Sequence, residues 1–158
     1  MTDDRIIATL NELIEASKDG EKGFALAAKE TREPDLTSVF SDGEKTSRLA
    51  AAELQDQVRL LGGTAEQDGS MKAAAHRGWT SVKSMVSSPN ESAILEECER
   101  GEGYVRARYA EALEIDLPEP IHALVERHHR AIVESHYRVL DLRNRFRESG
   151  ARALRANG

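Results

Sequence analysis

An all-α fold, four long helices packed as one bundle, is the class this sequence predicts, and three observations predict it. Hydrophobic residues make up 39% of the 158 residues and charged residues 32%, while aromatic residues are only 4%, a composition of amphipathic helices with charged outer faces. Apolar residues recur at helical spacing in four long stretches, bounded by proline turns or a glycine pair. The connections from first to second and from third to fourth stretch are short, whereas that from second to third is long. One domain with a sizeable core is expected over residues 1–146, followed by a polar, basic tail at 147–158 that is expected to fray.

The first helix is expected over residues 2–29, with Thr2 as cap and Asp3 and Asp4 against the positive end of its dipole. Its inward stripe reads Ile6, Leu10, Leu13, Ile14, Ser17, Glu21, Phe24 and Ala28, so Glu21 falls inside it, flanked by Gly20 and Gly23. Glu33-Pro34-Asp35 breaks that helix and starts the second, because proline is tolerated in a first turn and not in an interior. The second helix carries Leu36, Phe40, Gly43, Ser47, Ala50, Ala51, Leu54, Val58 and Leu61 inward, and stops at Gly62-Gly63. Glu53 lies farther round, on a solvated or interface position.

Residues 70–86 hold Met71, Ala74, Ala75, Trp79 and Val82 at helical spacing, which predicts a short helix interrupted near Gly78. A helix of that length reaches ~25 Å, enough, with extended flanks, to traverse a bundle ~40 Å long. This stretch is read as a crossover, with Trp79 as its anchor. The third helix is expected over residues 88–116, opened by the capping-box pattern Ser88-Pro89-Asn90-Glu91. Its stripe is Ile94, Cys98, Gly101, Glu102, Val105, Tyr109, Ala112 and Leu113. After Leu117-Pro118-Glu119-Pro120 the fourth helix shows Ile121, Val125, His128, Ile132, Val139, Leu142 and Phe146, with His136 on the flank.

Two short turns and one long crossover describe a ferritin-like four-helix bundle, since an up-down-up-down bundle has three short turns. Counting from the turns then sets levels. Glu21 is 13 residues before Pro34 and Ser47 is 13 after it; Glu102 is 17 before Glu119 and His136 is 17 after it. Glu21, Ser47, Glu102 and His136 are thereby expected to meet near mid-bundle, with His128 and Tyr109 about two turns nearer the second hairpin.

The composition narrows the partners. With 22 basic and 28 acidic side chains the net charge is −6, so nucleic acid and anionic membranes are not expected partners. The lone Cys98 excludes an internal disulfide and fits a reducing cytoplasm. The acidic start and the lack of any apolar run near ~18 residues predict neither signal peptide nor membrane span, and a soluble cytoplasmic protein.

The segments LNELIEASKDGEKGF (10–24), AAELQDQVRLLGG (51–63), HRGW (76–79) and ECERGEGYVRARYAEAL (97–113) resemble those of a bacterial ferritin-like family of uncharacterised four-helix-bundle proteins. The resemblance runs over residues 7–142 and implies the fold, not an activity. Ferritin-like di-iron sites take a Glu from each of two helices and a Glu-x-x-His pair from each of the other two. Glu21 and Glu102 match the single positions. Ser47 and Ala50 stand where one pair would be, and of the other only His136 is present, because Val133 replaces its Glu. The literal Glu-x-x-His at Glu126 and His129 points away from the core stripe. His122, His129 and His136 recur every seven residues, ~10.5 Å apart in rise, too far for one ion.

Two readings follow. In one, Glu21, Glu102 and His136 hold a single Fe, Zn or Mn ion completed by water, in a mononuclear or degenerate, redox-capable protein. In the other no cofactor is held. His136 pairs with Glu102 and Glu21 with Ser47 in a buried hydrogen-bond network, and a non-catalytic bundle works by self-association, as a homodimer, or through a protein partner of unknown identity. No Gly-rich phosphate loop, Cys-x-x-Cys or nucleophile–base motif assigns a catalytic residue.

Overall fold

The computed structural model describes residues 2–67, 79 and 90–157, with side-chain surroundings as far as residue 150. The described residues form four helices and no strand: α1 (Asp3–Glu30), α2 (Pro34–Leu60), α3 (Glu91–Leu113) and α4 (Glu119–Asn157). The short helix expected over residues 70–86 lies outside the described residues, apart from Trp79. No described helix is long and apolar enough to cross a membrane.

The helix ends follow local chemistry. Thr2 takes the N-cap backbone position of α1, but its hydroxyl makes no capping bond; Asp3 and Asp4 supply negative charge to the first turn instead. Pro34 opens α2, where its missing N–H costs nothing. At the other end Gly62 adopts φ +80°, and the Gly62 and Gly63 amides donate to the Arg59 and Val58 carbonyls at 3.0 and 2.9 Å. This is a Schellman stop, and glycine is the residue that takes its left-handed position without strain. The cap of α3 is Asn90, whose Oδ1 accepts the Ala93 amide at 2.8 Å, so the helix starts two residues inside the expected Ser88 and ends at Leu113 rather than 116. Beyond Phe146, where a polar tail was expected, α4 remains helical to Asn157.

Each helix packs on two neighbours. Among the described residues the backbone of α1 lies against α2 and α3 and that of α4 against α3 and α2, whereas α1–α4 and α2–α3 are the diagonal pairs, with no Cα atoms within 8 Å of each other. Side-chain pairs set the directions. Thr31, at the end of α1, bonds Glu91 at the start of α3, and Ser17 of α1 meets Tyr109 of α3, so these two helices are antiparallel. Glu53 of α2 reaches Arg127 and His128 of α4, while Phe40 and Val139 share a core, so α2 and α4 are antiparallel as well. Consequently α2 and α3 run parallel. The α2–α3 connection leaves at Gly63, beside Ile7, and arrives at Glu91, beside Thr31, at the opposite end of the bundle.

The core is divided. One cluster joins Leu10, Leu13 and Ile14 of α1 to Leu54, Val58, Tyr109, Val125 and Ile132. The other joins Phe24 to Leu36, Phe40, Trp79, Ile94, Leu95, Cys98 and Val139. Each fully buried side chain of this size stabilises the fold by about 1.5–3 kcal/mol. Trp79 anchors on the bundle as expected, at 3% exposure and edge-on to Phe24 with ring centroids 5.8 Å apart. It lies against Gly23 of α1 and Gly101 of α3, so close that a Cβ built at either would fall 2.4 or 2.1 Å from the indole. Those two glycines are the seat of the ring.

Candidate functional site

Between the two apolar clusters the bundle interior turns polar. Ser17 of α1, Glu102 of α3, and Ser135 and His136 of α4 are all buried, and the Ser47 hydroxyl of α2 lies against Gly20. This polar layer is where the turn counting places the expected site. Gly20 sits beside Ser47 and Gly103 beside His136, so both hairpin registers agree with that counting to within one residue.

The individual partners differ from those expected. Glu21 is not in the interior: its carboxylate pairs with Lys18 of the same helix at 3.3 Å, on the partly exposed flank. From Ser17 the inward path continues through Gly20, Gly23, Phe24 and Ala27, all buried. A step of three to glycine competes with a step of four to glutamate, and burying an unpartnered carboxylate costs several kcal/mol. His136 turns to Glu99 rather than Glu102. Its Nε2 lies 3.3 Å from Glu99 Oε1, and its Nδ1 3.4 Å from an Arg106 amine. Arginine can only donate, so Nδ1 accepts and the ring proton sits on Nε2, donating to Glu99. Arg143 holds the other Glu99 oxygen at 3.2 Å.

Glu102 is 5% exposed, hydrogen-bonded to Ser135, and its Oε1 has no partner among the described residues. Burial pushes its pKa up to about 8, against smaller opposing effects of Ser135 and the Arg138 charge. At neutral pH it is a carboxylic acid. One turn away Cys98 is fully buried, and burial, with the Glu102 and Glu97 carboxyls, holds its thiol well above the usual range. Neither group is an activated nucleophile. Among the described residues no group of three His, Cys, Asp or Glu side chains stands close enough together to hold a metal ion.

Toward the second hairpin lies a further polar chain. The Tyr109 and Ser17 hydroxyls are 3.0 Å apart, and the Tyr109 ring meets His128 edge-on at 6.1 Å. His128 Nε2 donates to Glu53 Oε1 at 3.2 Å, and Arg127 holds the other Glu53 oxygen at 2.5 Å. Burial lowers the His128 pKa, against the raising effect of Glu53. Tyr109 and His128 thus meet as the level counting predicts. The same counting from α2 across to α4 is the signal that sets Glu53 opposite His128.

A family model described as "Domain of unknown function (DUF2383)" matches residues 5–115. The match takes in α1, α2 and α3, and α4 with its four histidines follows it. No curated protein matches the chain.

Proposed function

Taking as premise that the chain belongs to the DUF2383 family, we propose that it is a non-catalytic, ferritin-like bundle that works by self-association, with a second copy of the chain as its partner. The ferritin-like assignment is supported by the antiparallel neighbours and by the parallel diagonal of α2 and α3, which calls for a crossover the length of the bundle. The non-catalytic reading is supported by the way interior donors are engaged in pairs: His136 with Glu99, His128 with Glu53, Tyr109 with Ser17.

Self-association rests on one observation. Leu49 and Leu60 are 62% and 78% exposed, and they lie on one face of α2, three turns apart. The line Leu49, Glu53, Asp56, Leu60 follows 4-3-4 spacing, a stripe of the kind that buries against another helix. The two acids inside it carry their own cations, Glu53 with Arg127 and Asp56 with Arg59, so a two-fold copy brings up no unneutralised charge. Beside Leu49 a cavity of about 190 Å³ opens between α2 and α4, lined by Thr46, Ala50 and Ala131.

Sedimentation velocity across a concentration series tests this. The full chain is expected to sediment as a dimer, and Leu49→Glu/Leu60→Glu as a folded monomer. A wild-type monomer at every concentration, or a dimer indifferent to the double substitution, would contradict the proposal.

A further inference from the structure

On the outer face formed by α3 and α4 an open groove of about 710 Å³ is lined by Arg106, Arg127, His129, Arg130 and Glu134. Four nitrogen bases against one carboxylate is a local reversal of a chain whose net charge is −6. The cations are incompletely satisfied. Arg127 gives one amine to Glu53, and Arg130 reaches Glu126 only at 3.9 Å. Arg106 donates to His136 Nδ1 at 3.4 Å and lies 5.2 Å from the centre of the exposed Tyr137 ring, but no carboxylate among the described residues pairs with it. His129 adds a second anomaly: its Nε2 is shut off from solvent and has no hydrogen-bond partner among the described residues. The groove thus gathers three guanidinium groups and an imidazole around a single carboxylate.

We propose that this groove binds an oxyanion, the phosphate or carboxylate group of a small solute, with Arg106 and Arg130 as the clamping donors and the His129 ring beside them as a titratable charge. A guanidinium has five N–H donors in a planar fork that matches two oxygens of such a group, and Arg106 has spent only one of them. Glu134, the carboxylate lining the groove, offsets part of its positive charge. The inference does not rest on self-association, because its donors Arg106 and Arg130 and the His129 ring belong to one copy and none of them is on the leucine stripe.

The groups facing His129 are Arg106 from α3 and Arg127, Arg130 and Glu134 from α4; Glu53 of α2 is held by Arg127. Burial, and then the Arg106 charge, lower the His129 pKa. A bound anion offsets the arginine's effect, so proton uptake by His129 and anion binding reinforce each other, and affinity rises as pH falls.

Calorimetric titration of the full chain with pyrophosphate, inorganic phosphate and succinate at matched ionic strength provides the test, at pH 6 and pH 8. At least one of the three anions is expected to bind saturably and more tightly at pH 6, the phosphates and succinate telling which oxyanion the groove prefers. Arg106→Gln should weaken that binding about tenfold or more, as loss of a charge-assisted bond does, with Arg130→Gln weaker than wild type and Arg145→Gln, whose partner is Asp141, unchanged. Helical circular dichroism confirms that each variant is folded, and Arg130→Gln leaves the His136 contact in place should Arg106→Gln disturb it. Absence of saturable binding by all three anions, or wild-type affinity in folded Arg106→Gln and Arg130→Gln, would overturn the assignment.

Discussion

Replacing Glu102 by glutamine keeps the shape of the side chain and removes its titration. In the folded protein the carboxyl holds its proton to about pH 8, whereas in the unfolded chain it releases it near 4.5. Between those values the native state binds one proton more than the unfolded state, so unfolding free energy falls as pH rises, by about 1.4 kcal/mol per unit. This contribution is fully present below pH 4.5 and lost by about pH 8. Over the whole window the loss is on the order of 3–5 kcal/mol, a large share of a small domain's roughly 5–15 kcal/mol. Wild type and Glu102→Gln are compared by urea unfolding, followed by helical circular dichroism, from pH 4.5 to 8.5. The histidines titrate alike in both proteins and cancel in the difference. Glu102→Gln should gain on wild type steadily as pH rises, most strongly above neutrality. Parallel stability curves would mean that Glu102 is already ionised in the native state, and would refute the buried-acid argument.

Other outcomes are expected of the same structure. Gly101→Ala places a methyl 2.1 Å from the Trp79 ring; overpacking of this kind costs about 1–3 kcal/mol, to be read as a lower Tm with red-shifted emission from the single tryptophan. His128 has a lowered pKa in the folded state, so its contribution to stability is present above pH 6.5, the unfolded value, and lost as pH falls toward the folded one. Thermal melts at pH 7.5 and 5 should therefore converge in His128→Gln relative to wild type, and an unchanged gap would count against it. Metal analysis by mass spectrometry after growth with added iron, zinc and manganese should find sub-stoichiometric metal unaffected by His136→Ala; a stoichiometric ion lost in Glu102→Ala would establish a ligand role and contradict the non-catalytic reading.

Much of the architecture is legible because helix ends and stripes have local causes. Pro34 and Gly62 mark their boundaries by backbone chemistry alone, and the inward residues of α3 from Ile94 to Ala112 follow one period. Counting from the turns gives each hairpin's register to within one residue, with Gly20 beside Ser47 and Gly103 beside His136. Which way a polar side chain faces is decided more finely. Glu21 loses the interior to Gly20 because a hydrophobic pattern gives glycine no weight, yet Trp79 and the Ser47 hydroxyl need the space that only glycine leaves. Glu99 takes His136 because Arg106 and Arg143 gather on that side, a charge arrangement across two helices that periodicity within one helix does not carry. Glu53 belongs to the same class. Its position off the apolar stripe is correctly read, but its partner His128 comes from α4, a helix far away in sequence.

Self-association through α2 is tested most directly by pulsed dipolar electron resonance on a copy carrying one spin label, at Asp56→Cys in a Cys98→Ser background. Asp56 has an exposed side chain on the leucine stripe, and Cys98 is the only native thiol. Two copies paired on that face should give a defined short label-to-label distance that vanishes when Leu49→Glu/Leu60→Glu is added. A featureless decay from the singly labelled wild-type face, with the spins behaving as isolated molecules, would contradict it.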